Sequence, residues 1–236
     1  MGDDSPPIEI LYEDGPCLVV NKPGGLLTQA PPHIDSLESR IKQFLKHHDD
    51  KRGNVYLGVP HRLDRPVSGA MVFAKHVRAA RRLAEQFEGR LVEKTYWAVV
   101  EDDETIEQSA QWRDYLRKIP NEARAEVVPT NHPEARIALL NYVVGGRVGG
   151  QCWMEITLET GRMHQIRIQA GSRGLPILGD ELYGSQRLFG PTTDDRRSRW
   201  IALHARTLSF RHPMTKESVT IEAPLPTWWG DLPFDW

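Results

Sequence analysis

The segment SGAMVFA, residues 68–74, is the feature that most restricts how this chain can fold. Seven consecutive small or apolar residues without polar alternation are typical of a strand that is buried in a sheet. The polar loop before it carries Asp64 between two arginines, and Pro60 and Pro66 stiffen that loop. The sequence therefore places a carboxylate in a stiff loop directly before a buried strand.

Apolar periodicity predicts further strands and a few helices. Strands are predicted at residues 8–12, 17–23, 93–101, 153–160, 200–210 and 218–224, with more strands within 110–144. Helices are predicted at 36–48, at 77–88 and within 160–174, and Asp35 and Glu38 resemble a capping box for the first. GGRVGG at 145–150 predicts a hairpin turn. Because there is no repeat or low-complexity tract, we expect one large domain with short extensions.

The composition is that of an ordinary globular protein, with 39% hydrophobic and 26% charged residues in 236. No apolar run is long enough to cross a bilayer, and MGDDSPPIEI at the start contains no hydrophobic signal segment. Cys17 and Cys152 lie in apolar stretches without metal-ligand spacing, which predicts small core residues in a reducing compartment. We expect a cytoplasmic protein that is not bound to a membrane.

The distribution of charge is more informative than the net charge of −2. Residues 61–100 contain eight basic and four acidic residues, and residues 162–216 contain ten basic and four acidic residues. If both basic segments meet on one face, that face attracts a polyanion. The alternative is an evenly solvated surface.

Asp64 has two interpretations at this point. It is a structural acid that pairs with Arg62 or Arg65, or it is a carboxylate held for chemistry. The stiff loop and the small residues Ser68 and Gly69 after it favour the second interpretation. A guanidinium close to a carboxylate stabilises its charged form, and a charged, oriented aspartate acts as a base or a nucleophile.

Several enzyme classes lack their motifs in this sequence. A glycoside hydrolase needs a second prepared carboxylate, and a serine hydrolase needs GxSxG, whereas GSRG at 171–174 has the wrong spacing. There is no P-loop, HExxH or zinc-deaminase signature. Phosphoryl transfer and metal-dependent hydrolysis are therefore unsupported.

The loop belongs to a set of sequence blocks that together resemble one enzyme family. HRLDRPVSGAMVFAKH at 61–76 resembles the HRLD-centred motif of the RluA-type pseudouridine synthases. The supporting blocks are VVNKPGGLL at 19–27, KTYWAVV at 94–100, TGRMHQIRIQ at 160–169, PILGDELYG at 176–184 and LHARTLSFRHP at 203–213. The resemblance spans roughly residues 8–224.

The resemblance implies isomerisation of uridine in RNA, in which the C1′–N1 bond is cleaved and C5 is joined to C1′. It implies that Asp64 is the catalytic aspartate, that Tyr96 stacks on the target uracil, and that Arg167 pairs with the carboxylate. Asp64 would attack covalently or remove a sugar proton, and both routes stay open. No metal or other cofactor is expected. Tyr96 has the alternative of an ordinary strand aromatic.

RNA contacts are expected from the resemblance at Arg62 and from polar or basic character at other residues. Arg62 would occupy the space left by a flipped nucleotide, because the reacting bond is hidden in a stacked strand. Further RNA contacts are expected at Arg65, Lys94, His164 and Arg206. The alternatives are solvated surface charges and, for His164, a packing role.

The fold implied by the family is a single α+β domain on a mixed, largely antiparallel sheet with flanking helices and a central cleft. We expect the catalytic domain at 8–224 with extensions at 1–7 and 225–236, and no separate N-terminal RNA-binding domain. The expected partner is rRNA or tRNA, and we expect a monomer without a required protein partner. A noncatalytic RNA-binding module and a carboxylate-dependent nucleosidase are the alternatives.

Three features depart from the family pattern. Val67 stands where the family usually has threonine or serine, and Ala170 replaces a larger apolar residue. Residues 118–140 match the pattern poorly. These differences concern the hydrogen bonding of the Asp64 loop and local packing, and they leave Asp64, Tyr96 and Arg167 in place.

Overall fold

A computed structural model describes residues 8–48, 53–102 and 106–236. The α-helices in these ranges are α1 (Leu37–His48), α2 (Val77–Glu88) and α3 (Gln165–Gly171). The strands are β1 (Glu9–Asp14), β2 (Cys17–Lys22), β3 (Ser68–Ala74), β4 (Glu93–Glu101), β5 (Ser109–Lys118), β6 (Ala125–Val127), β7 (Arg136–Val148), β8 (Gln151–Leu158), β9 (Leu203–Arg211) and β10 (Ser218–Glu222). The predicted N-terminal extension, residues 1–7, lies outside the described residues.

The described strands form one mixed sheet. Its order is β1-β2-β3-β9-β4-β8-β7-β5-β6, and β10 pairs with the part of β9 that follows the residues paired with β3. Among the described strands, β3 and β9 are parallel and every other pair is antiparallel. The predicted α+β class with a mixed, largely antiparallel sheet is confirmed.

Strand β3 occupies the predicted residues and is buried along its whole length. Met71 and Phe73 project from one face into the core that contains Ile41 of α1. Val72 projects from the other face into a second core that contains Leu83 of α2. Since helices cover both faces, the strand needs apolar residues at every position.

The parallel junction between β3 and β9 brings two backbones unusually close. Gly69 pairs with Ala205 at a φ of +121°, and a Cβ on Gly69 would lie 2.3 Å from the carbonyl oxygen of Ala205. Beside it, His204 Nδ1 lies 2.8 Å from Ser68 Oγ and its Nε2 lies 3.3 Å from the carbonyl oxygen of Ala223. A neutral imidazole satisfies both contacts, because one nitrogen accepts and the other donates.

Burial of His204 should make stability depend on pH. Burial lowers the pKa of the imidazole to about 4 from 6.5. Between these values the unfolded chain binds a proton that the folded chain excludes, so stability is lost as the pH falls through this window. We expect the free energy of unfolding to fall by up to about 1.4 kcal/mol per pH unit more than in His204→Gln. Urea titrations at pH 7, 6 and 5 would measure this, and parallel profiles would contradict it.

Two local predictions need correction. The capping box at the start of α1 is formed by Ser36 and Ser39, and not by Asp35 and Glu38 as predicted. Ser36 N donates to Ser39 Oγ at 3.0 Å, and Ser39 N donates to Ser36 Oγ at 3.2 Å. Asp35 instead pairs with Arg40. The hairpin turn is confirmed but is limited to residues 149–150, both at positive φ, because β7 continues through the first two glycines of GGRVGG.

The predicted C-terminal extension packs against the main core. Trp229, in a 3-10 helix at Thr227–Asp231, is fully buried, and Trp236 Nε1 donates to the Trp229 carbonyl at 2.9 Å. The boundary at residue 224 stays a prediction. Cys17 and Cys152 are both buried free thiols. None of the helices in the described ranges is long and apolar enough to cross a membrane.

Candidate active site

Two buried side chains clamp the loop that carries Asp64. Lys22 Nζ donates to the loop carbonyls of Arg65 at 3.1 Å and Val67 at 2.7 Å. Thr28 Oγ1 donates at 2.8 Å to the carbonyl of the residue before Asp64. Both side chains come from the segment around VVNKPGGLL, so that block holds the loop in place before any ligand binds.

Asp64 forms an ion pair with an arginine distant in sequence. Arg167 Nη1 lies 3.3 Å from Asp64 Oδ2, and the same guanidinium donates to Asp180 through Nε at 2.7 Å and Nη2 at 2.8 Å. Arg167 and Asp180 are both buried, and the guanidinium carbon lies 5.1 Å from the ring centre of Tyr183. Burial opposes the charge, but the bonds to Asp180 outweigh it and raise the pKa of Arg167. The guanidinium group of Arg167 is thus held in one orientation, with Nη1 directed toward Asp64.

His164 is a second neighbour of the carboxylate. Its Nε2 lies 3.6 Å from Asp64 Oδ2, and its Nδ1 lies 2.9 Å from Tyr183 Oη. The residue has a left-handed backbone, with φ 52° and ψ 28°, directly before α3. Burial lowers the pKa of His164, so the ring is neutral at pH 7.

Tyr96 and Lys94 come from β4 and line a cavity of about 1100 Å³ that reaches Asp64. We call it the tyrosine cavity; its walls also include Phe87 and the hairpin residue Asn121. Burial and then the charge of Asp64 raise the pKa of the Tyr96 phenol, which therefore stays protonated. Burial lowers the pKa of Lys94.

A second cavity of about 670 Å³ also reaches Asp64. We call it the arginine cavity, because its lining includes six arginines: Arg62, Arg65, Arg167, Arg196, Arg197 and Arg199. Asp64, His164 and Arg167 line both cavities. The carboxylate therefore lies where two differently lined spaces meet, in a central cleft.

A family model described as RNA pseudouridylate synthase matches residues 16–172 of this chain, a range that includes Asp64, Tyr96 and Arg167. The chain belongs to the RNA pseudouridylate synthase family. The resemblance to its RluA-type members is confirmed by relatives that carry names from that group.

Three relatives illustrate the similarity to the pseudouridylate synthase family. An uncharacterized RNA pseudouridine synthase of Synechocystis sp. is 34% identical over 93% of this chain and 66% of its own length. Ribosomal large subunit pseudouridine synthase D of Xylella fastidiosa is 35% identical over the same shares. tRNA pseudouridine synthase C of Haemophilus influenzae is 32% identical over 95% of this chain and 96% of its own length. The chain thus spans slightly less than two thirds of the first two relatives.

Solved structures support the fold. Human RNA Pseudouridylate Synthase Domain Containing 4 superimposes with a TM-score of 0.74 at 22% identity, covering 94% of this chain and 90% of that one. Human RNA Pseudouridylate Synthase Domain Containing 1 gives a TM-score of 0.73 at 22% identity, covering 98% and 89%. The predicted pseudouridine synthase fold is confirmed.

Most of the residues that the family resemblance pointed to meet in the cleft. Arg62 is exposed and lines both cavities, whereas Arg65 lines the arginine cavity alone and donates to the Gly25 carbonyl at 2.8 Å without forming an ion pair with Asp64. Arg206 lies over the ring of Trp97, 4.6 Å from its centre. Since Tyr96 and Trp97 are adjacent on β4, they project from opposite faces, and Arg206 therefore lies outside both cavities.

Asp180 and Tyr183 are site residues to which sequence reasoning assigned no role. Asp180 holds Arg167, and Tyr183 supports both Arg167 and His164 while its Oη accepts at 3.1 Å from the Ala125 amide. Both lie in PILGDELYG, a block that matched the family. The match of this block to the family was the signal in the sequence that pointed to these two residues, but it does not show which side chains they contact.

The departures from the family pattern have local explanations. The turn after Asp64 is held through the backbone, because Val67 N donates to the Asp64 carbonyl at 3.1 Å, and the buried Val67 side chain lines the tyrosine cavity. Ala170 is buried in the main core. Residues 118–140 contain β6 and the start of β7, and Asn121 from this region reaches the tyrosine cavity. The unusual stretch thus forms part of the cleft wall.

Proposed function

We propose that this protein isomerises uridine in RNA to pseudouridine, with Asp64 as the essential carboxylate. The observation that carries the proposal is the fixed pair of Asp64 and Arg167, 3.3 Å apart, at the end of a cavity lined by the buried phenol of Tyr96. A recessed, oriented carboxylate beside an aromatic ring suits a reaction at a nucleotide that has been rotated out of its strand.

The reaction conserves composition, so the site needs no co-reactant. The C1′–N1 bond breaks, the uracil turns, and C5 bonds to C1′; C5 then loses one proton while the released N1 gains one, so the protons balance. Asp64 either attacks covalently or takes a sugar proton, and both routes need a charged carboxylate that is held still. Tyr96 stacks on the uracil, and its protonated phenol can exchange a proton near C5.

Access to Asp64 requires the nucleotide to leave its stack, since the carboxylate lies within the cleft with its side chain 20% exposed. Arg62 lies exposed at the rim and supports the proposed role of filling the vacated space. Lys94 and His164 line the same cavity as Tyr96 and Asp64 and would contact the flipped nucleotide. Arg65 would support the Asp64 loop through its hydrogen bond to the Gly25 carbonyl and would not pair with Asp64.

The substrate we propose is structured RNA, because the relatives are named for the ribosomal large subunit in one case and for tRNA in another. We propose that residues 8–224 form the catalytic domain. We further propose that the protein acts as a monomer in the cytoplasm and without a cofactor. The loops and the basic cleft of this domain would contact the RNA.

Pseudouridine mapping of total rRNA and tRNA tests the function. The RNA would come from cells lacking the gene and from cells restored with wild type or Asp64→Asn. A pseudouridine that is lost on deletion and recovered with wild type alone would support the proposal. Release of free uracil by the purified protein would favour a nucleosidase, and no change at any site would favour a noncatalytic RNA-binding module.

Substitution of Tyr96 should separate stacking from proton transfer. Base stacking on an aromatic side chain contributes about 1–3 kcal/mol, so Tyr96→Leu should lower kcat/KM by about 5- to 160-fold. Tyr96→Phe retains the stacking surface and should lower kcat with little change in KM if the phenol carries a proton. Steady-state kinetics on the mapped RNA would measure both. Equal activity of all three proteins would exclude Tyr96 from the reaction.

A further inference from the structure

We infer that the arginine cavity is a phosphate-binding subsite for the RNA strand beside the target nucleotide, with Arg196 and Arg197 as its principal cations. The inference rests on the proposed function. It starts from the position of Asp64, which lines both cavities. A nucleotide whose sugar reaches Asp64 from the tyrosine cavity places its neighbouring phosphates at or beyond this shared wall.

The charge of the arginine cavity is unbalanced. Its lining contains six arginines and three carboxylates, which are Asp64, Asp180 and Glu181. Asp64 and Asp180 are engaged by Arg167, and Glu181 pairs with Arg199. Among the residues that the structure describes, no carboxylate forms an ion pair with Arg62, Arg196 or Arg197. Asp195, which lies outside the cavity lining, pairs with Arg65 at 3.8 Å and interacts with the charge of Arg197 without an ion-pair contact. Within the described ranges, Arg62, Arg196 and Arg197 therefore have no carboxylate within ion-pair distance and can contact an anion.

The segment that carries Arg196 and Arg197 is anchored to the catalytic loop. Asp195 accepts from the Arg197 amide at 2.9 Å and from Ser198 Oγ at 2.7 Å, and Arg65 of the Asp64 loop donates to Ser198 Oγ at 3.4 Å. The backbone that carries the two exposed arginines is therefore held against the Asp64 loop, so that their side chains alone need ordering when an anion binds.

Glycine in the NKPGG turn makes the second anchor possible. A Cβ on Gly24 would lie 2.5 Å from the Trp200 ring, and one on Gly25 would lie 2.6 Å from the Ser198 carbonyl oxygen. Gly25 also has a φ of +76°. Residues 196–200 therefore pack directly on the turn that supplies Lys22, whose side chain bonds to the Asp64 loop.

The lining favours phosphate over a base as the bound group. Planar guanidinium groups bind phosphate oxygens in pairs of parallel hydrogen bonds, whereas bases stack on aromatic rings. Among the described residues that line the arginine cavity there is no Phe, Tyr or Trp, while the tyrosine cavity contains Phe87 and Tyr96. The tyrosine cavity is thus suited to the base of a nucleotide, and the arginine cavity is suited to the phosphates of its backbone.

Binding of a 5′-labelled 12-residue oligouridylate at several salt concentrations tests the subsite. The measurements would use full-length Asp64→Asn, which prevents turnover, with and without Arg196→Ala and Arg197→Ala together. We expect the double replacement to weaken binding about tenfold. For two lost phosphate contacts on a single strand, the slope of log K against log salt should become shallower by roughly 1.4.

The matched control is Arg81→Ala with Arg211→Ala, which removes the same charge from exposed positions outside both cavities. It should leave the affinity within twofold and the slope unchanged. An equal loss in the control, or no change of slope in the test variant, would overturn the subsite. Thermal unfolding of each variant confirms that it is folded.

Turnover of the mapped RNA separates the two proposals. In the wild-type background, Arg196→Ala with Arg197→Ala should raise KM about tenfold and leave kcat within twofold, since neither residue reaches the reacting atoms. Normal turnover with an unchanged KM would overturn the subsite and leave the isomerase standing. A protein that turns over no RNA but shows the altered salt slope would retain the subsite without the isomerase.

Discussion

Replacing Asp64 with asparagine is expected to lower kcat by about a thousandfold or more while leaving the Kd for RNA within a few-fold. Asparagine has nearly the same shape, so the loop clamps at Lys22 and Thr28 are retained. It lacks the charge that a nucleophile or base requires. Single-turnover assays on the mapped RNA, combined with filter binding, would measure both quantities.

The control for Asp64→Asn is Glu88→Gln, which neutralises an exposed carboxylate in the wall of the same cavity. Its kcat should stay within twofold of wild type. Substantial turnover by Asp64→Asn would remove the carboxylate from the mechanism. Loss of RNA binding in that variant would instead indicate that Asp64 supports the shape of the cleft.

Replacing Asp180 with alanine is expected to lower the free energy of unfolding by about 3–5 kcal/mol. The change removes both bonds to Arg167 and leaves a guanidinium with a side chain 6% exposed without its main partner. Arg167 would also lose its fixed direction toward Asp64, so kcat should fall. Urea unfolding monitored by tryptophan fluorescence measures the stability.

Two further variants define the role of Asp180. Glu85→Ala breaks the exposed pair with Arg81 and should cost less than about 1 kcal/mol. Replacing Arg167 by Met together with Asp180 by Leu should recover part of the stability, because apolar residues can replace a buried pair, yet it should restore no activity. If Asp180→Ala is as stable as Glu85→Ala, the buried pair does not support the fold.

The sequence predicted β3, β4 and α2 at their observed residues because each has a complete local signal. β3 is a continuous apolar run, and α2 shows helical periodicity before Gly89. The pair of Asp64 and Arg167 had no local signal, since 103 residues separate its members. It was expected from the family resemblance, whereas reasoning from neighbours offered Arg62 or Arg65.

The contacts that surround this pair were not predictable from one sequence. Asp180 and Tyr183 have no spacing that distinguishes a buried ionic partner from an ordinary loop residue. The arginine cavity depends on how residues 195–199 fold back onto the NKPGG turn, which is a tertiary contact without periodicity. The start of α1 was misassigned because Asp35 and Glu38 have the same three-residue spacing as Ser36 and Ser39, so local pattern alone did not fix the register.

Strand β9 lies between β3 and β4, although it is made more than 100 residues after either of them. During synthesis, therefore, the two parts of the sheet expose unpaired edges until Leu203–Arg211 has been translated. Non-local pairing of this kind folds slowly and leaves edges open to other chains. Because Tyr96 on β4 and the loop before β3 come together across β9, a nascent chain has not yet brought Asp64 and Tyr96 into one cleft, and the proposed site forms only when this late strand is inserted.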